Sequence, residues 1–212
     1  MLKDWNFWCT MMTSVAAVAA LGLSAHQIRL SNKQQLFDRR LKAYMLASSI
    51  ISLCKENYMW LSGKRDDEPQ FANDVIFIWL TNNTYMEGQA EVIKHPLEQP
   101  FHKEFLKKRE ELRSMAVEFK LIFKGEVALL YSNFLRDYEK ALAVMYQYQI
   151  VIENMEKENS KRPKTSEELS QMFSEKTIRN RLYDALDKLK ESYDAVTQEK
   201  VENKLRRQLA LT

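Results

Sequence analysis

Between Asp4 and Arg29 the chain carries no charged side chain, His26 being counted neutral. The core of this run, Trp5 to Ala25, reads WNFWCTMMTSVAAVAALGLSA. A helix needs about 20 largely apolar residues to cross a hydrocarbon layer of about 30 Å, so the run is long enough. A secretory signal would need a positive start, a short apolar core and a small-x-small cleavage site. Here Asp4 cancels Lys3, the apolar run is longer than a usual signal core, and bulky Leu23 occupies one of the best cleavage positions. No Gly or Pro follows Gly22 until Gly63, so nothing ends the helix where the apolar run ends. The sequence therefore reads as a retained anchor rather than a cleaved signal or a buried core helix.

The flanking charges orient it. Lys3 and Asp4 precede the run, whereas Arg29, Lys33, Arg39, Arg40 and Lys42 follow it. Basic residues near a span stay on the cytoplasmic side. The expectation is a single-pass protein of a cytoplasmic membrane with its N-terminus outside and its body in the cytosol. Arg29, Lys33, Arg39 and Arg40 are then the candidate contacts to lipid headgroups, where basic juxtamembrane clusters favour anionic lipid. Trp5 and Trp8 fall at the outer edge, where indole rings favour the headgroup layer. Cys9 lies in the span and Cys54 in the helix beyond it, which is no disulfide framework.

One face of the span is unusual. Asn6, Thr10, Thr13, Ala17, Ala20 and Ser24 recur at alternating four- and three-residue steps, a heptad seam of small or polar residues. Membrane helices associate through such faces because their backbones approach closely and hydroxyls bond across. The seam is a candidate homo-oligomer contact or pore wall. A single span cannot enclose a pore, so the pore reading requires several copies.

The rest of the chain has the size of one ordinary domain. Charged residues make up 29% and hydrophobic residues 45%, a globular balance. The net charge of +3 is too small to argue for nucleic acid by itself. Four Gly and four Pro in 212 residues mean long helices and few turns. The fold class expected is all-α: an N-terminal transmembrane helix that continues into a cytosolic antiparallel helical bundle. The divisions are an anchor over 1–28, a juxtamembrane helix over 29–62, a helical bundle over 63–159, and a C-terminal helical segment over 160–212 that packs on the bundle or forms a coiled coil.

Within that frame, the first helix runs unbroken from Trp5 to Ser62, with a bend near residue 30 allowed. Leu30, Phe37, Tyr44, Ile51 and Tyr58, joined by Leu41, mark a heptad stripe to be buried. Gly63 to Gln70 reads as a charged loop. The run Val75 to Leu80 fits a buried strand or a buried helix; helix is favoured because no other segment offers a strand to pair with. Glu91 to Gln99 is a turn region around Pro96. Pro100 opens a helix that ends at Gly125, its stripe being Phe101, Phe105, Leu112, Met115, Phe119 and Ile122. The next helix, from about Glu126 to Glu158, carries Val127, Tyr131, Phe134, Tyr138, Leu142, Met145 and Ile152, widened by Leu130, Leu135, Tyr146 and Ile150. So broad an apolar face marks the most buried helix of a bundle. Asn159 to Lys164 is a polar hinge. Thr165 and Glu168 form a capping box, and a helix with an interruption near Ser174 runs on to Leu209, carrying Leu182, Leu186, Leu189, Tyr193 and Val196.

Catalytic groups are not evident. His95, Glu98 and His102 are zinc-ligand types, but Pro96 and Pro100 break helical spacing and no further ligand completes a set, so no metal and no cofactor are expected. There is no nucleophile elbow, phosphate-cradling loop or His-Glu-x-x-His, and no small-molecule substrate is indicated. The basic run Lys103, Lys107, Lys108, Arg109 and Arg113 is diluted by Glu104, Glu110 and Glu111 and reads as a solvated face.

One segment suggests nucleic acid. Ile178-Arg179-Asn180-Arg181-Leu182-Tyr183-Asp184 resembles the motif of HEPN ribonucleases, an all-helical family with an Arg, usually an Asn next, and a His four to six residues after the Arg. Arg179 and Asn180 match; Asp184 stands where the His would be, and it repels phosphate and supplies no imidazole proton. The resemblance implies RNA binding through Arg179, Asn180 and Arg181 without assured cleavage. One span followed by a helical cytosolic domain of this size is also similar to the small bacterial membrane accessory proteins of type VI CRISPR systems, which carry HEPN-like motifs and assemble into membrane pores. That likeness implies a bacterial inner-membrane protein, non-enzymatic and oligomeric, acting in antiviral defence beside RNA or an RNA-guided nuclease complex. A membrane-tethered RNA-binding domain and an inner-membrane scaffold for another partner are the alternatives.

Overall fold

The computed structural model describes residues 2–62 and 79–209. Among the described residues every regular element is helical. The α-helices there are α1 (Leu2–Glu56), α2 (Tyr58–Ser62), α3 (Gln89–Lys94), α4 (Phe101–Ile122), α5 (Gly125–Lys161), α6 (Ser166–Met172), α7 (Glu175–Val196) and α8 (Glu199–Leu209). A 3₁₀ turn covers Thr84–Met86. Of the run Val75 to Leu80, residues 75–78 lie outside the described residues, as does the charged loop expected over 63–70; Trp79 and Leu80 are helical.

α1 is 55 residues long and continuous through residue 30. At 1.5 Å per residue it is about 80 Å from end to end. Up to Leu36 every side chain described on it is exposed, and Phe37 is the first that is half-buried. Trp5, Trp8, Met12, Val18, Leu21 and Leu23 stand 60–72% exposed. The helix is long and apolar enough to cross a membrane, and none of its apolar window is buried by the rest of the chain. A soluble helix buries its apolar side; one that is apolar all round and uncovered lacks the solvent that would suit it.

From residue 40 onward α1 enters the core. Its buried positions are Ala43, Ala47, Ile50, Leu53 and Cys54. The expected stripe Leu30, Phe37, Tyr44, Ile51 and Tyr58 is one residue out of phase. Leu30 and Leu41 are 48% and 38% exposed, and Tyr44, Ile51 and Tyr58 form only the half-buried margin. The reason is size. Two alanines and a cysteine let the backbone of α1 lie close against the body, and close approach buries more neighbouring surface than a ridge of aromatic rings would. The helix stops at Glu56, earlier than Ser62. Asn57 interrupts it, its side-chain amide donating to the carbonyls of Leu53 at 2.8 Å and Trp79 at 3.0 Å. A side chain that competes for backbone carbonyls breaks a helix without Gly or Pro.

The turn region expected over Glu91 to Gln99 instead holds most of α3, which follows Gly88 in the left-handed conformation (φ 81°) and buries Val92 and Ile93. α4 and α5 match the pattern closely. Phe105, Leu112, Met115, Phe119 and Ile122 are buried on α4. All seven stripe residues of α5 are buried, Phe134 and Tyr138 completely. Phe119 stacks on Tyr131 at 5.3 Å, tying the two helices near their turn. α5 runs to Lys161, so the polar hinge shrinks to residues 162–164 before the Thr165–Glu168 capping box, which forms in full.

The C-terminal segment belongs to the same body. α5 and α7 make the most extensive helix pair, and Leu182, Leu186, Leu189, Tyr193 and Val196 are all buried there. The interruption falls at Ser174, whose φ is 53°. A second one, which the pattern does not announce, separates α7 from α8 at Thr197 and Gln198. Val201 and Leu205 of α8 join the one core cluster that runs from Ala43 to Leu205.

Candidate functional site

Three groups of residues bear on function: the apolar half of α1, the place where α1 joins the body, and the buried end of α7. On the first, Thr10, Thr13, Ala17, Ala20 and Ser24 all lie exposed along α1, and Asn6 belongs to the same helix. The hydroxyls of Thr13 and Ser14 both donate to the carbonyl of Thr10, at 2.9 and 2.8 Å. Back-bonding of this kind satisfies a hydroxyl where no water is at hand. The body does not cover this seam. Ala43, on the face the body does cover, stands about 100° round the helix from Ser24.

At the junction with the body Arg40 is the central residue. Its Nε donates to the carbonyl of Ile122 at 2.7 Å, and a terminal nitrogen donates to the carbonyl of Gln208 at 2.8 Å. Its guanidinium lies 5.8 Å from the ring centroid of Phe123. Ile122 ends α4 and Gln208 lies in the last turn of α8, so one cation meets the carbonyl ends of two helices, where the backbone dipoles are negative. Gln208 completes the arrangement. Its Oε1 accepts from the backbone N–H of Lys124 at 2.8 Å and its Nε2 donates to the Lys124 carbonyl at 3.0 Å. Gly125, at φ 69°, makes the sharp turn that follows; a side chain there would be strained.

Arg40, grouped by the sequence with Arg29, Lys33 and Arg39, is half-buried and clamps α1 to the body, its guanidinium donating to backbone carbonyls of two other helices. Arg29, Lys33 and Arg39 do stand exposed. The phase of the sequence contains the distinction: Arg40, Ala43, Ala47, Ile50 and Cys54 step by three, four, three and four, so Arg40 shares the buried face and Arg39 does not.

The third group bears on the expectation of RNA binding. Arg179 is 3% exposed and Glu175 fully buried. The Nε of Arg179 is 3.0 Å from Glu175 Oε1. The same carboxylate accepts from Tyr148 Oη at 2.6 Å and from Ser170 Oγ at 2.8 Å. The guanidinium is thus committed to an interior ion pair that joins α5, α6 and α7 and cannot reach a phosphate without the helices parting. Asn180 and Arg181, on the next positions, are exposed. Here too the signal is in the spacing. Glu175, Arg179, Leu182, Leu186 and Leu189 step by four, three, four and three, so both charged residues extend the buried leucine stripe.

Of the other chemical candidates, His95 Nδ1 lies 3.6 Å from Glu98 Oε2, and the two histidines turn to different aromatic partners. His95 stacks on Phe101 at 5.0 Å, while His102 Nδ1 is 2.8 Å from the Tyr146 hydroxyl. That hydroxyl also accepts from the Leu97 backbone N–H at 2.7 Å, so it ties His102 to the turn before α4. Among the described residues no cluster of His, Cys, Asp and Glu is placed to hold a metal ion. Cys54 is fully buried and burial pushes its thiol upward, away from the thiolate that reacts. In the basic run of α4, Arg109 and Arg113 converge on Glu139 at 2.6 and 3.0 Å. Lys108 donates to the Tyr85 carbonyl at 3.1 Å and lies over the Tyr85 ring. Burial, with Glu111 adding, raises the Tyr85 phenol to about 12. These cations bind their own fold.

No family model matches the chain, and no curated protein or solved structure matches it either.

Proposed function

We propose that the chain is a non-enzymatic, single-span protein of a bacterial inner membrane that works as an oligomer, with its N-terminus outside and its body an antiparallel bundle in the cytosol. One observation carries this reading: a single helix whose apolar half is wholly uncovered and whose other half is locked into the core through Arg40. The C-terminal ends of α4 and α8 both meet α1 at Arg40, so the body hangs from one end of a rigid rod. Such an arrangement holds a cytosolic domain at a fixed height and couples any rotation of the body to the span. The seam of Thr10, Thr13, Ala17, Ala20 and Ser24 supports self-association, since it lies away from the face the body uses and two copies can meet along it. Assembly around a seam of hydroxyls is also the route by which a single-span chain could permeabilise the membrane.

The reading through RNA is less favoured. The arginine that best fits the HEPN-like motif supports the interior instead, which leaves only Asn180 and Arg181 at the surface.

The test is the size of the full-length protein in mild detergent. The parent chain should run as an oligomer. Ala17→Leu and Ala20→Leu should shift it toward the monomer, because a bulky side chain keeps the backbones apart. A parent chain that is monomeric, or variants that assemble as the parent does, would end the seam argument.

A further inference from the structure

From its membrane-facing end, we propose that the body itself is a lipid-binding surface, in which Arg39, Lys120, Lys124 and Arg207 engage anionic headgroups. The proposal rests on the membrane reading above and extends it from the span to the bundle. The Arg40 clamp determines which part of the body faces the bilayer: it gathers the C-terminal end of α4, the Lys124–Gly125 turn and the last turn of α8 around α1 at one level. Lys120, Leu121, Lys124, Arg206 and Arg207 are exposed residues of that end, and Leu121 is 78% exposed.

The charges there are unequal. Arg206 pairs with Glu202 and Lys204 with Glu126, each at 2.7 Å. Among the described residues the side chains of Arg39, Lys120, Lys124 and Arg207 have no carboxylate partner. Among the described residues the carboxylates at this level are Asp38, Glu118, Glu126 and Glu202; the last two are neutralised by their pairs, which leaves Asp38 and Glu118 against four unpaired cations. With Arg29 and Lys33 on the exposed stretch of α1 above, an excess of positive charge faces the membrane.

The distance fits. Ile28 is the last residue of the uncharged run and Phe37 the first that the body touches, a rise of about 14 Å along the helix. The headgroup layer fills about 5–7 Å of that. Lysine and arginine side chains span much of the remainder, and the field of an anionic surface extends about 8 Å further at physiological salt. Each basic residue held near such a surface favours the docked state about fivefold.

The experiment uses the full-length chain with Cys9→Ser and Leu121→Cys, the remaining native thiol, Cys54, being buried. A fluorophore on the introduced thiol is read against a nitroxide carried on the headgroup of a minor lipid. Vesicles of phosphatidylcholine are compared with vesicles containing phosphatidylglycerol. Quenching should be markedly stronger in the anionic vesicles and fall back at high salt. It should also fall back in Lys120→Glu/Lys124→Glu/Arg207→Glu, for which the loss of three attractions alone lowers the docking equilibrium by a factor on the order of 100 and the added repulsion lowers it further. A label on Lys157→Cys at the far end of α5 should stay unquenched throughout. Equal quenching in neutral and anionic vesicles, or no response to the charge reversals, overturns the proposal and leaves the span intact. Release of the protein from vesicles by alkaline carbonate would instead overturn the membrane reading, and the proposal with it.

Discussion

The two halves of α1 share a helix but not a neighbour: the body covers one and leaves the other bare. Before Phe37, Val15 is 61% exposed and Leu21 72%; beyond Arg40, Ala47, Ile50 and Cys54 are at 0%. From Trp5 to Ile28 the first half carries no charge on any side. The second is apolar on one side, where Ala43, Ala47 and Cys54 alternate with Ile50 and Leu53, with Lys42, Met45, Ser52 and Lys55 outward. Small residues recur in both, yet they serve different neighbours. Below, alanines admit the body's own helices. Above, they remain uncovered. The difference teaches that composition alone does not place a helix: the width of the apolar arc and what covers it do.

Breaking the lower half should cost the fold; breaking the upper half should not. Ile50→Ala removes a fully buried side chain and should lower the unfolding free energy by about 2–5 kcal/mol. Val15→Ala should change it by less than about 0.5 kcal/mol. Denaturant unfolding of the detergent-solubilised protein, followed by intrinsic fluorescence, measures both. A comparable loss in Val15→Ala would mean that the upper half is packed as well, and the contrast would fail.

The same contrast can be made between adjacent arginines. Arg40→Ala deletes two charge-assisted hydrogen bonds and should cost about 2–3 kcal/mol, since bonds to charged groups are the stronger ones and this site keeps some access to water. Arg39→Ala should stay within about 0.5 kcal/mol. If both behave alike, Arg40 does not join the rod to the body.

Much of this is legible in the sequence, and the exceptions share a cause. The stripes of α4, α5 and α7 stand out because large side chains repeat there at helical spacing. The inward face of α1 is hidden because Ala43, Ala47 and Cys54 look ordinary beside Phe37, Tyr44 and Tyr58. Arg40, Glu175 and Arg179 escape notice for the complementary reason. A charge standing in an apolar stripe is taken for the stripe's end or for surface, although its phase assigns it to the interior and implies a partner. The partners themselves, Gln208 for Arg40 and Tyr148 for Glu175, are distant in sequence and no spacing rule connects them. The break at Asn57 is invisible beforehand because it depends on Trp79, whose carbonyl is brought beside it only by folding.

A sharper test of the packing is Ala47→Leu. Added methylenes at a position with no exposure should cost about 1–3 kcal/mol by overpacking, whereas Ala17→Leu should leave the unfolding free energy unchanged even as it alters assembly. Loss of stability in Ala17→Leu at protein concentrations where the chain is monomeric would place the upper seam inside the fold.

The smallest expected effect separates the halves by titration, since the uncharged run contributes no carboxylate and the body contributes many. Asp137 on α5 is half-buried, and burial raises its carboxyl above the usual range, against the Ser192 hydroxyl, Lys140 and Lys188, which lower it; Glu191 acts with burial. The folded state therefore holds this proton longer than the unfolded chain does. Below the unfolded value of 3.8 both states are protonated and nothing is lost. As pH rises past that value the unfolded chain ionises first, and stability falls until the folded carboxyl ionises as well. Asp137→Asn removes that loss. Relative to the parent chain it should be neutral at about pH 3 and more stable at about pH 7 by a few tenths of a kcal/mol, the group being open enough for solvent to screen it. Unfolding midpoints at the two pH values decide it, and a variant that loses stability relative to the parent on going from the acid to the neutral condition would show that the bond to Ser192 outweighs burial.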